Sequence, residues 1–115
     1  MSEIKLTKDA DKVLCILYKS FLEQRENGKS KRDAGRFEND WAKELFAEQN
    51  QADIDDASME LHGKELVKKN ILGGLVLTDE GIIYMENRFP NGIKQVVETL
   101  STVFGIVSGA YGIFK

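Results

Sequence analysis

At 115 residues, with 42% hydrophobic and 30% charged side chains, the chain is globular in composition and holds one modest core, which excludes a multidomain arrangement. Its formal net charge of -3 and pI of about 5.2 argue against strong sequence-independent binding to nucleic acid, which needs Lys and Arg to displace counterions from phosphates; local basic patches stay open. Cys15 is the lone cysteine, so no internal disulfide forms, and Met1-Ser2-Glu3 opens no signal peptide; a reducing cytoplasm is the expected setting, with peripheral membrane contact as an option raised by the tail.

Thr7 is placed to cap a first helix running to about Glu26, with Ala10, Val13, Leu14, Leu17 and Phe21 on one face and Asn27-Gly28 closing it. Cys15 falls inside that helix and reads as a small apolar filler, because nothing nearby would lower its pKa. Residues 28–36 carry Lys29, Lys31, Arg32 and Arg36 with two glycines and read as a basic loop. Phe37, Trp41 and Leu45 then recur every four residues, which predicts a second helix to about Glu48 with Trp41 in the core.

Asp53 is the expected N-cap of a third helix that buries Ile54, Ala57, Ser58 and Leu61. Its outward residues would be Asp55, Asp56, Met59, Glu60, Gly63 and Lys64, of which only Lys64 is basic. That is a poor surface for a groove lined by phosphates. The aspartates resemble the opening of a calcium loop, but the required glycine and distal glutamate do not follow. His62, the one histidine, reads as a packed or half-exposed ring. Leu66 to Leu77 is expected to form a two-stranded hairpin turning at Gly73-Gly74, with Lys68 and Lys69 on it; the alternative is a third helix that continues through Lys69 on Glu-Lys pairs.

Leu75 to Phe89 is the most readable stretch. Leu75-Val76-Leu77 is a short aliphatic strand, Thr78 an N-cap, and Asp79 and Glu80 suit a first helical turn. Leu77, Gly81, Met85 and Phe89 repeat every four residues, and Gly81 would let the helix sit close on a neighbour. Pro90 and Asn91-Gly92 end it near Arg88 or Phe89.

The run Leu77-Thr78-Asp79-Glu80-Gly81-Ile82-Ile83-Tyr84-Met85 resembles the last strand and following helix of winged helix-turn-helix domains. More narrowly, the chain from about Lys8 to Phe89 is similar to small winged-helix proteins of Gram-positive bacteria and their phages, sometimes labelled YjcQ-like. The resemblance implies a mainly α fold with a small β-hairpin, of the α+β class, over residues 1–89. It implies a DNA-binding-type transcription regulator in which the third helix would be the recognition helix. Lys29, Lys31, Arg32, Arg36, Lys64, Lys68 and Lys69 are then the candidates for contact with nucleic acid.

From Ile93 the pattern changes. Ile93, Leu100, Val107 and Phe114 recur every seven residues, with Val96 and Val103 between them and Val97, Phe104 and Tyr111 widening the stripe. This predicts an added apolar helix over 93–115, with Ser101, Gly105, Ser108, Gly109 and Gly112 as a small-residue rear face. The uncharged run from Thr99 to Phe114 spans about 24 Å as a helix, short of the roughly 30 Å of a bilayer core. An interfacial helix, a homo-oligomer seam and a helix folded back on the domain are all compatible with it.

No nucleophile elbow, phosphate-binding glycine loop, paired-Cys or paired-His metal spacing or second histidine occurs, so no enzyme, cofactor, metal or small-molecule substrate is expected. Two readings follow: a winged-helix regulator, dimeric through its C-terminal helix, or an interaction or membrane-associated adaptor in which that helix is the working part.

Overall fold

A computed structural model describes residues 4–106. Among them the chain runs α1 (Lys8–Glu26), α2 (Lys31–Ala34), β1 (Arg36–Phe37), α3 (Trp41–Leu45), α4 (Gln51–Gly63), β2 (Val67–Lys69), β3 (Leu75–Leu77), α5 (Asp79–Arg88) and α6 (Ile93–Phe104). The fold is mainly helical with one small antiparallel sheet ordered β1-β3-β2.

The first helix starts where its cap dictates: Thr7 Oγ1 accepts from the Ala10 N–H at 3.3 Å, and Asn27 closes the other end before Gly28 at φ +91°. α1 is the axis of the molecule. A surface helix buries one stripe, but Val13 through Lys19 is buried all round, because α2, α4, α5 and α6 all pack against it. Asp11 accepts a two-pronged pair from Arg88, which lies in the last turn of α5 and also sits 4.8 Å over the Phe89 ring.

Several expectations change between α1 and α4. Residues 28–36 are not only loop: Ser30 Oγ accepts from the Asp33 N–H at 3.1 Å and caps the short α2, and Arg36 begins a strand. Phe37 is not helical but pairs with Leu75 on β3, so the second helix shrinks to Trp41–Leu45. Its end has a packing cause. Phe46 leaves the helix at φ -132°, becomes fully buried, and meets Trp41 edge-on at 5.9 Å between ring centres. The cap of α4 is Asn50 rather than Asp53: Asn50 Oδ1 accepts from the Ala52 and Asp53 N–H groups at 2.9 and 3.2 Å. The buried face of α4 is as expected, with Ile54, Ala57, Ser58 and Leu61 inward.

α4 does not continue through Lys69. It ends at Gly63, and Glu65 takes φ +65° while the Leu66 N–H bonds back to the Leu61 carbonyl at 3.0 Å, the bond of a left-handed helix stop. A non-glycine residue in that conformation costs about 1–2 kcal/mol. Glu65→Gly is therefore expected to raise stability by about 0.5–1 kcal/mol, part of the relief being lost to the greater freedom of glycine when unfolded. A higher urea midpoint is the expected reading; an unchanged or lower one contradicts it.

The hairpin β2–β3 pairs Val67 with Leu77, Lys68 with Val76 and Lys69 with Leu75, and β1 adds a third strand on the other edge of β3. Thr78 then locks the hairpin to α5. Its Oγ1 donates to the Glu65 carbonyl at 2.6 Å and accepts from the Gly81 N–H at 3.0 Å, while its own N–H donates to the Leu66 carbonyl at 3.1 Å.

α6 is no separate unit. Val96 and Leu100 are buried in the same core as α1, together with Ile106, so the core crosses the boundary drawn between residues 89 and 93. The helix also ends earlier than the heptad pattern implies. Gly105 takes φ +69° and the Ile106 N–H bonds back to the Leu100 carbonyl at 2.9 Å, so Gly105 stops the helix instead of lying on a small-residue face. Val107, Tyr111 and Phe114 lie outside the described residues. No helix among the described residues is long and apolar enough to cross a membrane.

Candidate nucleic-acid interface

Alternation along the strands decides where the basic side chains go. Leu75, Leu77, Val67 and Phe37 face inward and are buried, which puts Val76, Lys68 and Arg36 on the outer face. Register then aligns them: Arg36 and Lys68 both lie opposite Val76, one on each side. The result is a cross-sheet row, Arg36-Val76-Lys68, with both cations exposed.

Helix α2 extends this row. Lys31 and Arg32 line a shallow depression with Val76, Leu77, Asp79 and Ile82. Lys29 and Arg36 line the next one, with Asp33 and Glu38 on its wall. The face is thus basic but not uniformly so. Lys31 Nζ lies 3.1 Å from Asp79 Oδ1, both well exposed, and such a pair contributes at most about 1 kcal/mol and yields readily to a competing anion.

Lys69 is placed otherwise. It sits on the inner face at the edge strand, and its Nζ donates to Asp55 Oδ1 at 3.1 Å and Ser58 Oγ at 3.0 Å on α4, with Met59 Sδ at 3.6 Å. Its backbone N–H donates to His62 Nδ1 at 3.2 Å, which blunts the open edge of β2. Lys69 therefore ties the hairpin to α4 and does not join the outer-face row. Lys64 is exposed as the C-cap of α4, four residues before Lys68.

The outward side of α4 carries Asp53, Asp55, Asp56 and Met59, all exposed, and the Glu60 carboxylate is bonded to the Thr7 N–H and hydroxyl at 2.8 and 2.7 Å. From Gln51 to Gly63 there is no Lys or Arg. The helix that the resemblance assigned to base reading presents carboxylates instead.

The tail residues proposed as an oligomer or membrane face divide. Val96 and Leu100 are spent on the chain's own core, Ile93, Val97 and Phe104 are half-buried, and Val103 is 52% exposed. Cys15 is fully enclosed; burial foremost, and the neighbouring Asp11 carboxylate next, push its thiol up to about 12, which removes it as a nucleophile at neutral pH. Among the described residues no group of three or more His, Cys, Asp or Glu side chains could hold a metal ion.

Of the seven basic candidates named from the sequence, six remain exposed and Lys69 does not, but the row that Arg36 and Lys68 form with Val76 was not foreseen. Arg36 joins it through a two-residue strand, too short for any periodic signal. No family model, curated protein or solved structure matches this chain.

Proposed function

We propose that the chain is a winged-helix protein of the DNA-binding type that grips the phosphate backbone with the outer face of its sheet and with α2, and not with α4. The order of its elements supports the winged-helix reading: a long helix, the single turn of α2, a first short strand, two further helices, then a hairpin whose last strand runs between the other two. The observation that carries the mode of contact is the row Arg36-Val76-Lys68 flanked by Lys31 and Arg32. Cations held on a rigid sheet meet phosphates with little loss of side-chain freedom beyond their own rotamers. The acidic α4 opposes insertion into a major groove, and the net charge of -3 keeps long-range attraction weak. The expected complex is therefore modest in affinity and steeply salt-dependent. A dimer seam along α6 is no part of this reading, since Val96 and Leu100 are already packed within one chain.

The test is fluorescence anisotropy of labelled duplex DNA at low salt, repeated as salt rises. Arg36→Glu with Lys68→Glu should lower affinity by tenfold or more (~1.4 kcal/mol or more) and flatten the salt dependence by about two phosphate contacts. Asp56→Asn on α4 should leave binding unchanged or tighter. No complex at low salt, or a complex indifferent to the double reversal, removes the reading.

A further inference from the structure

The ion pair between Lys31 and Asp79 joins residues 48 positions apart, one on α2 and the other in the first turn of α5. Among the described residues Arg32, Arg36 and Lys68 have no carboxylate at ion-pair distance, so of these four outward cations Lys31 alone is already engaged.

The fold does not call for this pair. Its two side chains are 59% and 72% exposed, and such a pair adds little to stability. Nor does the Asp79 carboxylate cap α5: the Thr78 hydroxyl does so, accepting from the Gly81 N–H at 3.0 Å, while Asp79 reaches across to Lys31. Its place is what matters. Lys31 and Asp79 line one depression with Arg32, Val76, Leu77 and Ile82, and Val76 is the centre of the row between Arg36 and Lys68. The carboxylate therefore stands where a phosphate beside that row would meet Lys31.

We infer that Asp79 is a built-in competitor for phosphate, holding Lys31 in the free protein and yielding it to a polyanion already seated on Arg36 and Lys68. The inference rests on the phosphate-contact reading above and deepens it, by naming what restrains that site. A carboxylate and a phosphate oxygen accept the same kind of charge-assisted hydrogen bond from an ammonium group. A lone phosphate that displaces Asp79 makes one such bond by breaking another, and gains little. A duplex held at two neighbouring cations meets the same cost, but its other contacts keep it bound and present the next phosphate at high effective concentration. The exchange then runs forward.

The test is anisotropy of labelled duplex DNA with the full chain at low salt. Asp79→Asn should tighten binding by about three- to fivefold, the size of an exposed ion pair, and the gain should fall away when Lys31→Gln is added. An equal gain with and without Lys31 means that Asp79 only adds negative charge to the face, which overturns the competitor. Unchanged or weaker binding by Asp79→Asn overturns it too. Either result leaves the phosphate-contact reading standing, whereas absence of binding by the parent chain at low salt overturns both. The unsubstituted chain gives a second measurement that does not depend on how the variants fold. The carboxyl carbon resonance of Asp79 should move as duplex is added, and stay in place with inorganic phosphate at the same concentration of phosphate groups. Movement with both, or with neither, overturns the competitor.

Discussion

Gly81→Ala is expected to destabilise the fold by about 3 kcal/mol or more, a large share of the roughly 5–15 kcal/mol that holds a domain of this size. A Cβ at Gly81 would overlap the Leu66 carbonyl oxygen and crowd the Leu66 carbonyl carbon. Those are backbone atoms, so no side chain can swing away. The same carbonyl accepts the Thr78 N–H, and Thr78 caps α5 through the Gly81 N–H, so any shift that makes room also loosens the joint between the hairpin and α5. At about 4–8 °C per kcal/mol, the melting temperature should fall by more than about 12 °C. Gly63→Ala is the control. That glycine ends α4 with open space around it and should accept a methyl group with no loss, or a gain of a few tenths of a kcal/mol. Equal melting temperatures for the two variants would contradict the close approach.

Leu100→Ala is the second large effect, expected at about 2–5 kcal/mol for a nearly enclosed leucine. Its form matters more than its size. If α6 packs on its own α1, the fall in melting temperature is the same at every protein concentration. A helix seated instead in a seam between copies would make melting depend on concentration in the parent and lose that dependence in the variant. Concentration independence is expected, and a dilution-dependent transition of the parent chain would return α6 to an interface.

What could be read from the residues alone was whatever depends on neighbours in sequence. Thr7 and Thr78 act as caps because capping needs only the next three residues, and Gly81 announced a close approach by standing on an apolar face. The buried face of α4 followed from its period. The failures share one cause, contacts made far along the chain. Phe37, Trp41 and Leu45 fit a helical repeat, yet Phe37 pairs with Leu75, and only that remote strand fixes its conformation. Lys68 and Lys69 are indistinguishable as letters. Alternation sends Lys68 outward and Lys69 inward to Asp55 and Ser58, so one stays at the candidate interface and the other becomes a brace. Asn50 displaced Asp53 as the cap because Phe46 breaks away into the core and the Gln51 side chain donates to its carbonyl at 2.8 Å, which fixes the turn before α4. The tail pattern was read correctly as apolar, but a sequence repeat cannot register that Gly105 adopts a left-handed conformation and ends the helix.

For the site, the same division holds. The basic residues were visible as a loop and a hairpin, 30 or more positions apart, and only the β1-β3-β2 order sets Arg36 and Lys68 on either side of Val76. The acidity of α4 was legible at once, since it is a property of one helix.

The most direct measurement of the central claim is a residue-by-residue NMR titration of the full chain with duplex DNA at low salt. Amide shifts are expected to gather on Lys31, Arg32, Arg36, Lys68 and Val76. Shifts gathered on Asp53 to Glu60 would place the contact on α4 and contradict it.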